Sequence, residues 1–471
     1  EYFALVEEIS DQLPVVTGEL NPIFTGCYTS QSRIKKGNAI LQDKLNETEA
    51  FASAASLSVG AAYPTRQMEE AWEKVLFNQF HDILPGSCTA DAREYAMGLY
   101  QQAAARTDTE TSRALRSIVS HIDTSAWASK GIYHLFNPSL YARTELVEVT
   151  VWDWEGKKEN IQFLDSDGKE VPYQLLSEQD IPYWGHHCFK TLISAHVPAM
   201  GYATYVLTEK KAEDVLPPFP VQPRVERRNS YTLENERLKV VFDSRTGAIV
   251  SMTDKANRHE IIDPNQPAGI FRLIEEEDSP GMTSWVVGNY RRVTNINEGG
   301  VKFTSLQNGE GLLRQSLSYT ASFGESTLRV RIYLDRDSSR LGFEVECDFR
   351  ELGNSEKGVP QLNFHMPVGY DCRAYRYDIP SGTIERDETD MDVPASSWAA
   401  AMPKDSGRKA LTLIAGTKHG FRCVKNSISL SLIRASYDPD PYPEVGHHAF
   451  GFFASLPNIT SNRELIEEAY I

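Results

Sequence analysis

The chain has 471 residues, of which 41% are hydrophobic and 24% charged, and its formal net charge at pH 7 is −17. This composition is ordinary for a globular protein, and the length suits two to four domains of about 150 residues each. The negative charge argues against a nucleic acid or an anionic membrane as partner. No stretch approaches the ~18 apolar residues that a membrane-spanning helix needs.

The six cysteines predict a reducing, cytoplasmic environment. They are scattered along the chain without a Cys-x-x-Cys pair, so neither a disulfide framework nor a cysteine zinc site is expected. No secretory signal peptide is visible in the sequence. The six residues are Cys27, Cys88, Cys188, Cys347, Cys372 and Cys423.

Both ends of the sequence are typical of a piece cut from a longer polypeptide. The chain begins at Glu1 without a methionine and stops at Ile471, inside what reads as a strand. We therefore predict that residues 1–22 are the tail of an upstream α/β domain and that the last domain is truncated. Within this tail the pattern predicts a short helix over 1–13 and a buried strand at 13–16.

Residues 23–127 predict a bundle of three helices. The pattern favours helices over 33–60, 67–83 and 90–122, the last with a break near Thr107. Long helices joined by short connections are typical of a compact helical bundle.

The second of these helices carries an apolar stripe and, beside it, three polar residues. Asn78, His81 and Asp82 fall on one face, because positions i, i+3 and i+4 of a helix align. Pro85 and Gly86 then end the segment. The stripe repeats at three- and four-residue steps, and its members are Met68, Trp72, Val75, Leu76, Phe80 and Ile83.

The chain changes to β structure after residue 127. Alternating apolar residues and frequent turns predict many strands, among them a strand–turn–strand over 238–252. The Pro-rich stretch 216–223 predicts a linker between a small β domain, 128–215, and a large β-sandwich domain, 224–471. The predicted fold class is therefore α+β multidomain, a three-helix bundle followed by β-sandwich domains.

His81 and Asp82 are the strongest candidates for chemistry. A histidine can offer a nitrogen to a metal ion, and an adjacent carboxylate can bind a polar ligand. A lone histidine beside an apolar helix stripe is nevertheless more often a structural residue that hydrogen-bonds within the fold. The residue pattern alone leaves both interpretations open.

Other histidines and paired carboxylates have plainer interpretations. His121-Ile122-Asp123 has a spacing that suits a metal, but it follows a long helix, so we predict a helix-end turn. The pairs His186-His187 and His447-His448 are expected to be structural, because neighbouring side chains on a strand point to opposite faces. The segment Asp438-Pro439-Asp440-Pro441 predicts a turn.

The string from Asn78 to Ser87 resembles the metal-site motif of the family 38 glycoside hydrolases, the zinc-dependent α-mannosidases. Further strings are similar to that family along nearly the whole chain. They are Gly26–Ser30, residues 230–254 and, more weakly, Asp378–Gly382. The resemblance implies the family's helical middle domain followed by its C-terminal β-region.

The same resemblance implies one zinc ion in a sugar site. His81 would be a zinc ligand, Asp82 would hydrogen-bond hydroxyls of a bound mannose, and Tyr28 would line the wall of the site. Zinc can bind the cis hydroxyls at C2 and C3, and retaining hydrolysis needs two carboxyls about 5 Å apart. The nucleophile, the acid/base and the other zinc ligands are expected upstream of residue 1. We therefore name no catalytic residue and expect the isolated chain to be inactive.

The resemblance predicts hydrolysis of terminal α-linked mannose in an oligosaccharide or glycoside, and two other functions stay open. One is a hydrolase of mannosylglycerate or its 6-phosphate, in which a phosphate would demand clustered Arg or Lys. The other is a non-catalytic carbohydrate-binding β-sandwich protein, with exposed aromatics on one sheet face and no metal. The sequence also leaves a homo-oligomer open.

Overall fold

The computed structural model describes residues 1–16, 19, 23–127, 131–176, 180–210, 229–279, 281–309, 311–457 and 462–469. The predicted Pro-rich linker, 216–223, lies outside these ranges. Among the described helices, none combines the length and the apolar character that crossing a membrane requires.

The first residues form a short helix and no strand. Helix α1 spans Tyr2–Glu7, and a single 3-10 turn follows at Ser10–Gln12. The prediction of a buried strand at 13–16 is wrong, since Leu13 and Val15 are 44% and 88% exposed. No described strand pairs with this segment, and an apolar segment without a neighbouring strand has nothing to bury it.

Three long helices form the predicted bundle. They are α2 (Ser32–Val59), α3 (Thr65–Asn78) and α4 (Ala90–Val119). Small and branched apolar side chains from all three form one core, for example Leu45, Val75 and Ala103.

The break predicted near Thr107 is wrong, because α4 passes through this residue without interruption. The Thr107 side chain is fully buried, and its hydroxyl donates to the carbonyl oxygens of Ala103 and Ala104, at 3.1 and 2.9 Å. A threonine that hydrogen-bonds back to the preceding turn is compatible with a continuous helix.

A small β unit follows the bundle, and its described strands form two four-stranded antiparallel sheets. One sheet has the order β1-β8-β3-β4; the other has the order β2-β7-β5, with β6 paired to β7. The two sheets share a core that includes Val151, Phe163 and Phe189, as in a β-sandwich. The strands are β1 Gly131–Asn137, β2 Arg143–Trp152, β3 Ile161–Leu164, β4 Glu170–Val171, β5 Tyr173–Leu175, β6 Ile181–Tyr183, β7 His186–Val197 and β8 Gly201–Glu209.

The remaining described strands form a large β unit of three sheets. The strands are β9 Ser230–Glu234, β10 Leu238–Asp243, β11 Ile249–Asp254, β12 His259–Glu260, β13 Ile270–Glu276, β14 Tyr290–Asn295, β15 Lys302–Gln307, β16 Arg314–Phe323, β17 Ser326–Asp335, β18 Arg340–Phe349, β19 Val359–Pro367, β20 Cys372–Ile379, β21 Gly382–Arg386, β22 Thr389–Pro394, β23 Trp398–Pro403, β24 Thr412–Ile414, β25 Gly420–Cys423, β26 Ser427–Arg434 and β27 Gly446–Ser455. The predicted strand–turn–strand is confirmed, since β10 pairs antiparallel with β11.

Two large sheets of this unit pack face to face. Their strand orders are β14-β13-β19-β26-β25-β22 and β15-β16-β17-β18-β27-β24-β23-β20-β21, beside a four-stranded sheet β12-β11-β10-β9. Phe343 and Phe452 of the nine-stranded sheet stack 4.9 Å apart, and both contact Phe364 of the six-stranded sheet. The predicted fold class, a three-helix bundle followed by β-sandwich units, is confirmed.

The last described segment is a helix, α5, over Asn462–Ala469. The prediction that the chain ends inside a strand is therefore wrong for Ala469. Leu465 is 1% exposed and belongs to a small core with Trp398. Leu465 and Ala469 lie four residues apart, which places them on one helix face against that core.

Polar contacts join the bundle to the large β unit. The backbone N–H and the hydroxyl of Ser32 donate to the Glu444 carboxylate, at 2.5 and 2.8 Å. Arg93 of α4 donates to Asp440 at 2.6 Å, and both side chains are largely buried. The small β unit contacts α2 through the rings of Phe136 and Phe51, 5.8 Å apart. The exact domain boundaries stay predictions.

Candidate functional site

A cleft of about 1100 Å³ lies where the bundle and the two β units meet. On the bundle side it is lined by α2, by the 3-10 turn Thr25–Tyr28 and by the turn that follows α3. On the β side it is lined by the start of β2 and by the β20–β21 hairpin. A concave site with walls from several units is the usual location for a small-molecule or glycan site.

Helix α3 ends at Asn78, five residues earlier than predicted, so His81 and Asp82 lie in a turn. The Asn78 side chain is fully buried and donates to the Ala96 carbonyl oxygen at 2.8 Å. The Phe80 carbonyl then accepts from the N–H groups of Ile83 and Leu84, at 2.9 and 3.1 Å, which closes a single turn beyond the end of the helix. The predicted common face of Asn78, His81 and Asp82 is therefore wrong.

The apolar stripe of α3 is confirmed only in part. Met68 and Val75 are buried at 2% and 0% exposure, and Ile83 beyond the helix end is buried as well. Leu76 and Phe80, at 55% and 53% exposure, face water instead. The early end of α3 explains Phe80, because a residue beyond the helix no longer follows its 3.6-residue period.

The turn after α3 holds His81 out of the bundle. Its side chain is 78% exposed, its ring lies 4.1 Å from that of Phe80, and its Nε2 is 3.7 Å from an Asp82 carboxylate oxygen. His81 and Tyr28 both line the cleft, whereas Asp82 lies beside His81 outside that lining. The structure thus brings together two of the three residues singled out from sequence.

Hydrogen bonds join the loop that carries Tyr28 to the turn that carries His81. The Lys35 ammonium donates to the carbonyl oxygens of Ser30 and Leu84, at 2.5 and 3.0 Å. The Gln31 side chain donates to the Cys88 carbonyl at 2.9 Å and accepts from the Cys88 thiol at 3.2 Å. Burial lowers the pKa of Lys35 to about 7. The two loops are therefore held in one arrangement by buried donors.

Gly86 allows these two loops to approach each other closely. Its φ is +77°, and a Cβ at this position would collide with the carbonyl oxygen of Ser30. Only glycine can adopt this positive φ and also leave room for the Ser30 carbonyl without strain.

We expect Gly86→Ala to destabilise the protein more than Gly60→Ala, measured as the free energy of unfolding in urea. Gly60 has a similar φ of +72° but open space around it. In both variants an alanine must adopt the left-handed backbone conformation, which costs about 1–2 kcal/mol of stability. Only Gly86→Ala adds the collision, which costs a further ~1–3 kcal/mol. Equal losses in the two variants would show that the close approach to Ser30 does not matter.

The sequence did not predict the β-unit wall of the cleft. Asp378, at the end of β20, accepts hydrogen bonds from the backbone N–H groups of Ser397 and Trp398 at 2.8 and 2.9 Å. His419 lies on the same wall, with Nδ1 2.7 Å from the Ser396 carbonyl oxygen, and burial lowers its pKa. The string Asp378–Gly382 was the only sequence signal for this wall, and it did not indicate proximity to His81.

The guanidinium groups that line the cleft already have partners. Arg386 donates to the Glu19 carboxylate at 2.7 Å and lies over the Tyr377 ring at 4.4 Å. Arg143 donates to Glu145 at 2.9 Å. Paired guanidinium groups of this kind are less available for a charged ligand.

His81 fits the role of a zinc ligand, but the described residues do not complete a zinc site. Its imidazole is exposed, faces the cleft and has the Asp82 carboxylate as a polar neighbour. Within the described ranges, no group of three or more His, Cys, Asp or Glu residues is arranged to hold a metal ion. A tetrahedral zinc site needs four ligands, of which a catalytic site takes three from protein.

The other histidine and carboxylate motifs have structural partners. His121 and Asp123 form the predicted helix-end turn, with bonds to the Ser117 carbonyl and the Ser125 N–H. His447 is exposed beside Asp348, whereas His448 is buried against the Glu444 carbonyl, as opposite strand faces require. Asp440 lies in a loop but is a buried partner of Arg93.

The pair His186-His187 differs from expectation, because both rings approach the same carboxylate, that of Asp153. Their Nδ1 atoms lie 2.7 and 3.6 Å from its oxygens. The β2–β7 register pairs Trp152 with Cys188, which places Asp153 opposite His187 at the open end of the sheet. All three side chains are exposed.

Comparison with known proteins identifies the family. The family described as "Glycosyl hydrolases family 38 C-terminal domain" matches residues 233–442, and that described as "Alpha mannosidase middle domain" matches residues 22–118. The chain belongs to glycoside hydrolase family 38 and comprises a helical middle domain and β-rich C-terminal domains of that family.

Curated relatives and solved structures agree with this assignment. The chain is 26% identical to "Alpha-mannosidase 2C1" of Mus musculus and of Homo sapiens over its whole length, and it spans 42% and 41% of those proteins. It is 24% identical to "Alpha-mannosidase" of Saccharomyces cerevisiae, covering 93% of this chain and 35% of the relative. The crystal structure of an alpha-mannosidase from Enterococcus faecalis V583 has the same fold, with a TM-score of 0.77 and 17% sequence identity. The match covers 97% of this chain and 59% of that one.

Proposed function

We propose that the complete protein hydrolyses terminal α-linked mannose residues with one zinc ion and with retention of anomeric configuration. The observation that best supports this proposal is the exposed imidazole of His81, which lines a cleft between the helical bundle and both β units. Family membership and the names of the curated relatives support an α-mannoside as substrate. The chain spans less than half of those relatives, so the activity is proposed for the complete protein.

In this proposal His81 supplies one zinc ligand, and Asp82 and Tyr28 contact the sugar. Zinc, when bound, supplies a Lewis acid that can hold the cis hydroxyls at C2 and C3 of mannose. The Asp82 carboxylate, beside His81, accepts hydrogen bonds from sugar hydroxyls. Lys35 holds the Tyr28 loop and the His81 turn in position through its bonds to Ser30 and Leu84. We assign no nucleophile and no general acid to this chain.

The two alternative functions receive less support. A phosphate-bearing substrate such as mannosylglycerate 6-phosphate favours a cluster of available cations, but Arg386 and Arg143 of the cleft are bound to carboxylates. A purely carbohydrate-binding module has no need of a metal ligand carried by the helical bundle, so the proposed role of His81 argues against that function.

We also propose a cytoplasmic location, supported by the cysteines. All six are free thiols in the structure, and unpaired cysteines are typical of reducing compartments.

The test of function is turnover of an aryl α-mannoside by the complete protein, with zinc counted per chain and an aryl β-mannoside as control. We expect zinc-dependent release from the α-anomer alone, and NMR should show α-mannose as the first product. Absence of α-mannoside turnover in zinc-loaded protein would reject the proposed activity, and a first product of β configuration would reject retention.

A further inference from the structure

The cleft extends well beyond His81 along helix α2. Seven residues of α2 line it, and they form two rows in which neighbours lie four residues apart, as one helix face does. Between the first and the last of them the helix rises ~18 Å, which is longer than a single sugar ring. The rows are Lys35, Ala39, Asp43 and Glu47, and Asn38, Gln42 and Asn46.

The far end of these rows lies against the small β unit. Phe51, one helical turn beyond Glu47, contacts Phe136 of β1. Pro138 and Ser139, which follow β1 directly, line the same cleft. The cleft therefore runs from the His81 turn, near the start of α2, to the small β unit, which lies beside the second half of that helix.

The side chains along α2 suit neutral hydroxyl groups. The Gln79 amide donates to Asn38 at 3.1 Å, and the Asn38 amide donates to Gln42 at 3.0 Å, so a chain of amides leads away from the His81 turn. Further along, Asp43 and Asn46 have no side-chain hydrogen bond to any described residue. Amides offer both donors and acceptors, and carboxylates offer acceptors, which matches sugar hydroxyls.

Partial burial raises the pKa of both the Asp43 and the Glu47 carboxyl. The Asp43 and Asn46 side chains are exposed along the cleft and Glu47 is half-buried, so a ligand can reach all three from solvent.

We propose that the middle of α2, around Asn46 and Glu47, binds the sugar units beyond the cleaved mannose and sets the preference for oligosaccharides over simple mannosides. This inference rests on the proposed function, because it takes the His81 end of the cleft as the site of the cleaved sugar. Asn46 and Glu47 are specificity residues in this arrangement, since they contact only the part of the substrate that an aryl mannoside lacks.

The test compares two substrates in the complete protein, an aryl α-mannoside and a linear α-linked mannotriose. The double variant Asn46→Ala/Glu47→Ala should lower kcat/KM for the trisaccharide about tenfold, the size expected for the loss of two hydrogen bonds. Its kcat/KM for the aryl mannoside should stay within about twofold of the unaltered protein, because the aryl mannoside makes neither of these bonds. Alanine is a strong helix former, so α2 is expected to persist.

The matched control is Gln102→Ala, which removes an exposed amide from α4 outside the cleft and should change the turnover of neither substrate. An unchanged trisaccharide rate, or equal losses on both substrates, would overturn the proposed sugar-binding role of Asn46 and Glu47 while leaving the α-mannosidase activity intact. If the unaltered protein turns over neither α-mannoside, the proposed function fails, and this inference fails with it.

Discussion

Replacing His81 by alanine should remove zinc from the complete protein and lower α-mannoside turnover about a thousandfold. A metal that acts as a Lewis acid contributes several kcal/mol to the transition state, and each ~1.4 kcal/mol is a factor of ten in rate. The His81 side chain is 78% exposed, and its nearest approach to the Asp82 carboxylate, 3.7 Å, is too long for a hydrogen bond. Its loss should therefore leave the thermal unfolding midpoint of the zinc-free protein nearly unchanged, since bound zinc would itself raise that midpoint, and this comparison separates a functional from a structural role.

The matched control for this experiment is His121→Ala. His121 is also an exposed histidine in a turn after a helix, and it also has an aspartate nearby, but its Nδ1 bonds to the Ser117 carbonyl outside the cleft. This variant should keep both zinc and rate. Zinc is counted by mass spectrometry and the rate is followed with an aryl α-mannoside. If His81→Ala keeps its zinc and its rate, His81 is a structural residue.

Local sequence patterns predicted the elements that depend on local interactions. The 3.6-residue period marked the three long helices, and the apolar runs on both sides of Asp243–Gly247 marked the β10–β11 hairpin. The end of α3 was not predictable in this way, because it is fixed by a tertiary bond from Asn78 to the Ala96 carbonyl of α4. The exposure of Val15 was not predictable either, since burial of a strand depends on its neighbours.

The residues of the candidate site also differ in whether local sequence could identify them. His81 and Tyr28 were found because each lies in a short contiguous string, and the structure places both in one cleft. Asp378, Arg386 and His419 reach that cleft from separate parts of the large β unit. Their proximity is a product of strand order and register, which no local pattern in the sequence specifies.

A buried ion pair of the large β unit also contacts the loop that precedes α2. Arg434 and Glu276 are both fully buried, and the guanidinium donates to Glu276 at 2.8–3.0 Å. The same guanidinium donates to the Ser30 hydroxyl at 3.1 Å and to the Thr283 carbonyl at 2.7 Å. The Ser30 carbonyl in turn accepts from the Lys35 ammonium. Arg434 thus supports the loop that carries Tyr28.

We expect Arg434→Met to lower the free energy of unfolding by about 3–5 kcal/mol, because it leaves the Glu276 carboxylate buried without a counter-charge. Burial raises the pKa of Glu276 even with Arg434 present, so the carboxylate depends strongly on its partner. The measurement is urea unfolding followed by circular dichroism.

The matched control for this loss is Arg373→Met, which breaks an exposed ion pair. Arg373 donates two hydrogen bonds of 2.9 Å to Glu385 on the protein surface. Arg376 still pairs with that carboxylate in the variant, and exposed pairs typically contribute about 1 kcal/mol or less. The control variant should therefore unfold at nearly the same urea concentration as the unaltered protein. A loss of the same size in both variants would show that burial of the Arg434–Glu276 pair does not set its contribution.

A second variant separates the charge from the hydrogen bonds of Arg434. In Arg434→Met/Glu276→Leu both charges are gone, so the cost of an unpaired buried charge disappears. The carbonyl oxygens of Thr283 and Val286 still lose their guanidinium donor, and a buried group left without a partner costs about 1–3 kcal/mol. The double variant should therefore recover only part of the lost stability. Full recovery would show that the guanidinium contributes to stability through its charge alone, and no recovery would show that its hydrogen bonds carry the whole effect.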